Sequence, residues 1–287
     1  MKDLLLIILL CILAASKVTI QGFFAKKNVK TLPDAIFFNG IIFLASGLLF
    51  LKDSVGCSVT TAIFGAVFGI LTVMFQATYI EALSCGNVSL TVMIVNMSMI
   101  IPIAVSVIFY NEKLTVFKTV GTALIILALI ISVERDGTEK GVSKKWLSLS
   151  LVTAVLNGAL AVCQKIFGKT EFKSQNKAFV SWAYITAFFV SVFIYMLLKS
   201  QKHKKGFKMG QLPLLCGVGA GIVLSVFQFF NTYAVATINS TVLFPSYNGG
   251  ALILTTLSSV VILKDRLKKK QLLSVAVGLV AIVLLNV

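Results

Sequence analysis

The chain has 287 residues, of which 58% are hydrophobic and 13% charged, with a mean hydropathy of +0.98. Soluble globular domains carry roughly 25% charged residues, so an ordinary soluble domain is excluded. Disorder is excluded too, because this much apolar surface collapses or inserts into a bilayer. In the polytopic membrane protein that remains, the excess of 26 Lys and Arg over 10 Asp and Glu reports loop placement and orientation, not a nucleic-acid partner.

A helix needs about 20 mostly apolar residues to cross ~30 Å of hydrocarbon. Ten stretches qualify, at 4–24, 33–51, 59–83, 88–110, 115–133, 146–167, 178–198, 212–236, 241–263 and 270–286. Their connections are short and leave no room for a soluble domain. The stretches do not alternate apolar and polar residues as barrel strands do. The expected fold is therefore an all-α polytopic membrane protein with ten transmembrane helices. At the start, Lys2, the apolar run from Leu4 to Ala15 and the small residues Ala14, Ala15 and Ser16 have the outline of a cleavable signal. Apolar character resumes at Val18, however, and this span has a counterpart later in the chain, so it is expected to be retained.

Polar groups inside a bilayer are costly and hence informative. Span one carries Lys17 near its middle and Gln21 a turn further on. Lys17 reads either as a snorkelling lysine or as a cation facing a central cavity, where it binds an anionic group or pairs with a carboxylate. Span three carries Gln76 and, near its end, Glu81. A desolvated Glu81 would titrate and couple proton movement to exchange; it would also serve as a partner for Lys17. Span six carries Gln164 and Lys165, the latter close enough to the span end to be expected to snorkel. Span eight carries Gln228 and Asn231, and Asn96 lies in span four. In span nine, Phe244-Pro245-Ser246-Tyr247-Asn248-Gly249-Gly250 weakens the helix and frees carbonyls that serve a cavity, with Tyr247 and Asn248 as its best side-chain candidates. Any single amide is explained by helix–helix hydrogen bonding; the whole set favours a polar cavity.

The five cysteines, at 11, 57, 85, 163 and 216, form no CxxC pair and have no metal-ligand spacing, and the single His203 sits in a basic loop. They read as small core residues and a solvated side chain, so no metal and no cofactor is expected. No GxSxG, HExxH, P-loop or GxGxxG pattern stands in a supporting context, which argues against an enzyme.

The chain is internally repeated. Gly65, Gly69, Ile70, Phe75 and Gln76 in span three recur as Gly217, Gly221, Ile222, Phe227 and Gln228 in span eight, all at an offset of 152. Glu112-Lys113-Leu114 after span four recurs as Asp265-Arg266-Leu267 after span nine. Gln21, Phe24 and Lys26 recur as Gln164, Phe167 and Lys169. Each half, 1–137 and 138–287, holds five spans. Five is odd, so the halves are inverted relative to one another, an arrangement typical of secondary transporters with substrate near the midplane. The glycine pairs read as small-xxx-small seams for close helix packing that rocks during alternating access.

With these residues the whole chain resembles the ten-helix, EamA-type branch of the drug/metabolite transporter superfamily. The resemblance rests on the joint order of the acidic-basic-Leu turns, the glycines Gly121 and Gly278 that follow them, and the elements Tyr79–Ala82 and Tyr233–Ala236. The chain departs from the pattern in span one, where many members have Trp-Gly and this sequence has Ser16-Lys17 and Gln21-Gly22. The resemblance implies a secondary carrier for small metabolites, often an exporter.

Seven basic residues fall on the face carrying both chain ends (Lys2, Lys52, Lys113, Lys118, Lys169, Lys173 and Lys177). Seventeen fall on the other, in clusters within 26–30, 135–145, 199–208 and 264–270. The positive-inside rule then places both ends outside the cytoplasm, whereas the resemblance implies ends inside. The size of the bias in short loops tips the reading toward the charge count.

The sequence is thus read as a multi-pass cell-membrane carrier that moves a small polar or amphipathic metabolite by alternating access. Lys17 tilts the substrate toward amino-acid-like or organic-acid-like molecules. Lys17, Gln21, Gln76, Gln164, Gln228, Tyr247 and Asn248 are the substrate-binding candidates, and Glu81 the coupling candidate, with protons as the coupling ion. The expected partners are a small-molecule substrate and lipid, with no nucleic acid and no required oligomer. The alternative is a broad multidrug or cation exporter using Glu81; a non-transport membrane scaffold ranks third.

Overall fold

The computed structural model describes residues 2–28, 32–85, 88–132, 143–202, 211–263 and 269–285. The side chains of Lys17 and Gln21, and His203, Asp265 and Arg266 entirely, lie outside the described set. The apolar stretches fold as α1 (Lys2–Asn28), α2 (Leu32–Leu49), α3 (Val59–Cys85), α4 (Val88–Met97), α5 (Ile100–Tyr110) and α6 (Val116–Ser132). The second half follows as α7 (Lys144–Gly168), α8 (Asn176–Lys202), α9 (Gln211–Thr237), α10 (Ser240–Leu263) and α11 (Lys269–Leu285). Among the described residues there is no strand. Five described stretches, Val59–Leu83, Thr91–Tyr110, Lys144–Gly168, Glu171–Leu197 and Leu214–Thr237, are each long and apolar enough to cross a bilayer; Ala35–Leu49, Val116–Ile131 and Leu272–Leu285 are shorter apolar helices.

The outward faces of these helices are apolar: Phe189, Phe193 and Met196 on α8 and Val280 and Val283 on α11 are exposed. In water such a belt would be an aggregation surface; around a bilayer-spanning bundle it faces lipid. Hydroxyls line the seams instead, with Ser46, Ser181, Ser225 and Ser240 buried.

The fourth span is not continuous. It breaks between α4 and α5 at Ser98 and Met99, four residues before Pro102. Proline has no N–H, and its ring clashes with the carbonyl four residues back, here that of Ser98. The chain tightens to three-residue bonds, Ser98 N to Val95 O at 3.1 Å and Met99 N to Asn96 O at 3.3 Å, and the Ser98 carbonyl accepts from Ile101 N at 3.0 Å instead. The sequence pattern points to Pro245 for a weakened helix, yet α10 runs through Pro245 without interruption. Pro245 lies only six residues into α10, close to the turn where helix N–H groups lack intrahelical partners anyway.

The two halves interlace. The α3 helix packs on α8 and α9 on α2; α7 packs on α3 and α1 on α9; α2 meets α8 and α6 meets α11. Exchanging the halves maps this contact pattern onto itself. The glycine seams lie between the halves: a Cβ on Gly65 would stand 2.7 Å from Trp182 Cβ in α8, and one on Gly221 2.6 Å from the Ile42 carbonyl oxygen in α2. Across the second seam the Ser46 hydroxyl donates to the Gly221 carbonyl at 2.8 Å, and the Ser225 hydroxyl to the Ser46 carbonyl at 2.7 Å. Gly249 and Gly250 serve the same purpose, since a Cβ at either would collide with Ile125 of α6 or Cys11 of α1. Their role is close helix packing, not an opening for ligand.

Candidate functional site

Where the helices cross they form a half-open cavity of about 340 Å³, within the ~300–1,000 Å³ usual for small-molecule sites. Five of the sequence candidates meet there: Gln76 from α3, Gln164 from α7, Gln228 from α9, and Tyr247 and Asn248 from α10. Asn96 from α4 and Asn231 from α9 join them. Gln76 and Gln228 are repeat-related, so the inverted duplication delivers one glutamine from each half to the same space. None of the described side chains lining the cavity is charged.

The amides divide into those already engaged and those free to bind. The Gln164 amide donates to Thr232 Oγ1 at 2.8 Å and its oxygen accepts from Asn231 Nδ2 at 3.1 Å, tying α7 to α9. Asn248 Nδ2 points at Met99 Sδ, 3.4 Å away, at the break between α4 and α5. Gln228 is different. It is only 5% exposed, yet its side-chain Nε2 has no hydrogen-bond partner among the described residues. A buried donor left unpaired costs about 1–3 kcal/mol, a cost that a ligand acceptor in the cavity would remove.

Apart from Tyr247, sequence reasoning missed the aromatic wall, and it missed one amide. Phe43 and Tyr184 stack at 5.8 Å and 18°, Phe75 and Tyr79 at 5.6 Å and 10°, and Phe227 meets Tyr247 at 5.8 Å; all six line the cavity. Aromatics are common in any apolar span, and only convergence from five helices distinguishes these. Asn157 of α7 also lines the cavity and donates to Ser98 Oγ at 2.7 Å, clasping the broken span. An amide alone in the middle of span six was a signal of the same kind as the others.

Glu81 stands elsewhere. It lies outside the cavity lining and is ion-paired with Lys145 at 2.9 Å, the side chains being 37% and 66% exposed respectively. Lys165 corrects the expectation of snorkelling: it is 1% exposed, and its Nζ lies 2.6 Å from Glu112 Oε1. Its stem is packed within the bundle, and the ammonium is neutralised there by the Glu112 carboxylate. Glu112 comes from the turn after α5, where Asn111 adopts a left-handed conformation, φ 51°, that asparagine tolerates better than most residues.

Comparison with known proteins agrees with this architecture. The sequence profile of the EamA-like transporter family matches residues 5–133 and again residues 144–287, and the chain belongs to that family. A solved structure titled only as a crystal structure of a protein superposes with a TM-score of 0.76 at 13% identity, covering 99% of this chain and 96% of the other. At that identity the likeness concerns the fold alone. No curated protein sequence matches the chain.

Proposed function

We propose that this member of the EamA-like transporter family is a secondary carrier that moves a small polar or amphipathic metabolite across the cell membrane by alternating access. One observation carries the reading: amides from both inverted halves converge on one aromatic-walled cavity in which the Gln228 donor has no partner among the described residues. Amide donors and acceptors bind the polar end of such a molecule, and the faces of Phe43, Tyr184 and Phe227 bind its apolar body. Amino-acid-like substrates, with a polar head and a side chain, fit both requirements. The Lys17 side chain would add a cation for a carboxylate; it belongs to the reading as a sequence-level candidate, as does Gln21.

A second reading, export of amphipathic cations, is supported by the same rings, because aromatic faces attract cations. Counterflow in proteoliposomes separates the two. Preloaded vesicles are offered labelled neutral amino acids, labelled monocarboxylates, or labelled tetraphenylphosphonium. Exchange of an amino acid or monocarboxylate is expected, with Gln228→Leu weakening its apparent affinity at least tenfold, about 1.4 kcal/mol. Exchange of tetraphenylphosphonium alone favours the second reading, and exchange of none of them sinks the carrier assignment for these classes.

A further inference from the structure

The Lys165–Glu112 pair has features that the cavity does not explain. Glu112 comes from the first half of the chain, and its Oε1 takes the Lys165 ammonium at 2.6 Å. Its Oε2 accepts from the backbone N–H of Ser240 at 2.6 Å and of Thr241 at 3.4 Å, at the start of α10 in the second half. A carboxylate at a helix N-terminus also meets the positive end of the helix dipole. One side chain thus ties together α5, α7 and α10.

The pair stands at one particular end of the bundle. Ser106 lies one turn beyond the cavity residue Pro102, and Ser240 one turn beyond Phe244; their hydroxyls bond to each other at 2.7 Å. Both are fully buried, and Glu112 is the next layer outward. Alongside, Phe167 stacks on Phe179 at 4.5 Å and 15° and approaches Phe64 at 6.0 Å, filling the space beyond Gln164. A recess at the surface of this end is lined by Asp3, Lys118, Asn239 and Leu285, so it is the face that carries both chain ends.

Burying an ion pair is a poor way to gain stability, since apolar residues of similar volume do as well or better. A buried pair does create two distinct states: held together when dry, and separable at little cost once water reaches both charges. The two halves also differ here. Asp265 is the repeat counterpart of Glu112, but at the offset relating Gln21 to Gln164 the counterpart of Lys165 is Gly22. The lysine was not duplicated.

We propose that Lys165 and Glu112, seated on the α10 N-terminus, are the gate of the face carrying the chain ends: an ion pair between the halves that seals this face and separates when the cavity opens toward it. The gate rests on the carrier reading, because only a protein that alternates its access needs one. Its test requires no substrate. Ser106→Cys is introduced into full-length chain whose five native cysteines are replaced, in sealed vesicles with the end-bearing face outward, and its reaction with a membrane-impermeant maleimide is timed. Neutralising both partners together, Glu112→Gln with Lys165→Met, avoids leaving a lone buried charge. Labelling is expected to be at least tenfold faster in the double variant. Ser225→Cys, buried in the α2–α9 seam, is expected to stay unreactive with or without the double change. An unchanged Ser106→Cys rate overturns the gate. Equal acceleration at Ser225→Cys overturns it too, because the pair would then only hold the fold together. Failure of counterflow with a normal gate response would instead count against the substrate classes tried.

Discussion

Asn157 on α7 donates a 2.7 Å hydrogen bond to the Ser98 hydroxyl at the point where the fourth span breaks. Its amide also approaches the Val95 carbonyl at 3.4 Å, so one side chain from the second half steadies the irregular backbone of the first. Irregular backbone at membrane depth persists only where protein or a cavity satisfies it. Asn157→Ala is therefore expected to cost about 1 kcal/mol. In detergent this would lower the midpoint of thermal unfolding by about 2–4 °C, and a midpoint unchanged within error would show that Pro102 alone holds the break.

The glycine seams give a contrast within one helix. A Cβ at Gly221 would press on the Ile42 carbonyl and on Ala45 Cβ at 2.7 Å, whereas one at Gly219 meets nothing within 4 Å. Gly221→Ala is expected to destabilise the bundle by about 1–3 kcal/mol, the usual cost of overpacking. Gly219→Ala faces no such barrier and is expected to be neutral or slightly stabilising. Parallel melts of the two variants check the ranking; equal effects would mean that the α2–α9 contact is looser than described.

The exposed Glu81–Lys145 pair predicts a small effect. Solvent-exposed ion pairs contribute about 0.2–1 kcal/mol, and Glu81 does not line the cavity. Glu81→Gln is expected to lower stability by less than about 1 kcal/mol and to leave counterflow and proton-driven uptake within about twofold. Loss of proton-driven accumulation with counterflow intact would return the coupling role to Glu81.

The charge bias makes a prediction about orientation. With seventeen basic residues on one face and seven on the other, the positive-inside rule expects the chain ends outside the cytoplasm. A C-terminal alkaline phosphatase fusion is then expected to be active and a C-terminal green fluorescent protein fusion dark; the reverse pattern supports the orientation implied by the family resemblance.

Much of the candidate site was legible because hydrocarbon penalises polarity. Gln76, Gln164, Gln228, Tyr247 and Asn248 stood out in apolar spans, and the structure gathers all five around one cavity. Glu112 was legible only as part of a repeated turn, because a carboxylate just past a span end reads as a solvated loop residue. Its burial depends on Lys165, 53 residues away, and on the start of α10, 128 residues away. The aromatic wall was hidden for the opposite reason: a chain with 22 phenylalanines offers no contrast from which to choose the few that face inward.

Sequence alone determined that this chain crosses a membrane in ten helical passes as two inverted copies of one unit. Span length and hydropathy are set by the thickness of the hydrocarbon, and the repeat by identity at a constant offset. Both are local properties that survive without knowledge of the fold. Only the tertiary structure decided which amides share a cavity, that the proline break falls before Pro102 and not at Pro245, and that Lys165 is neutralised by Glu112 inside the bundle. Those outcomes depend on which helix face meets which, and in a chain apolar on nearly every face that choice is made by packing between distant segments.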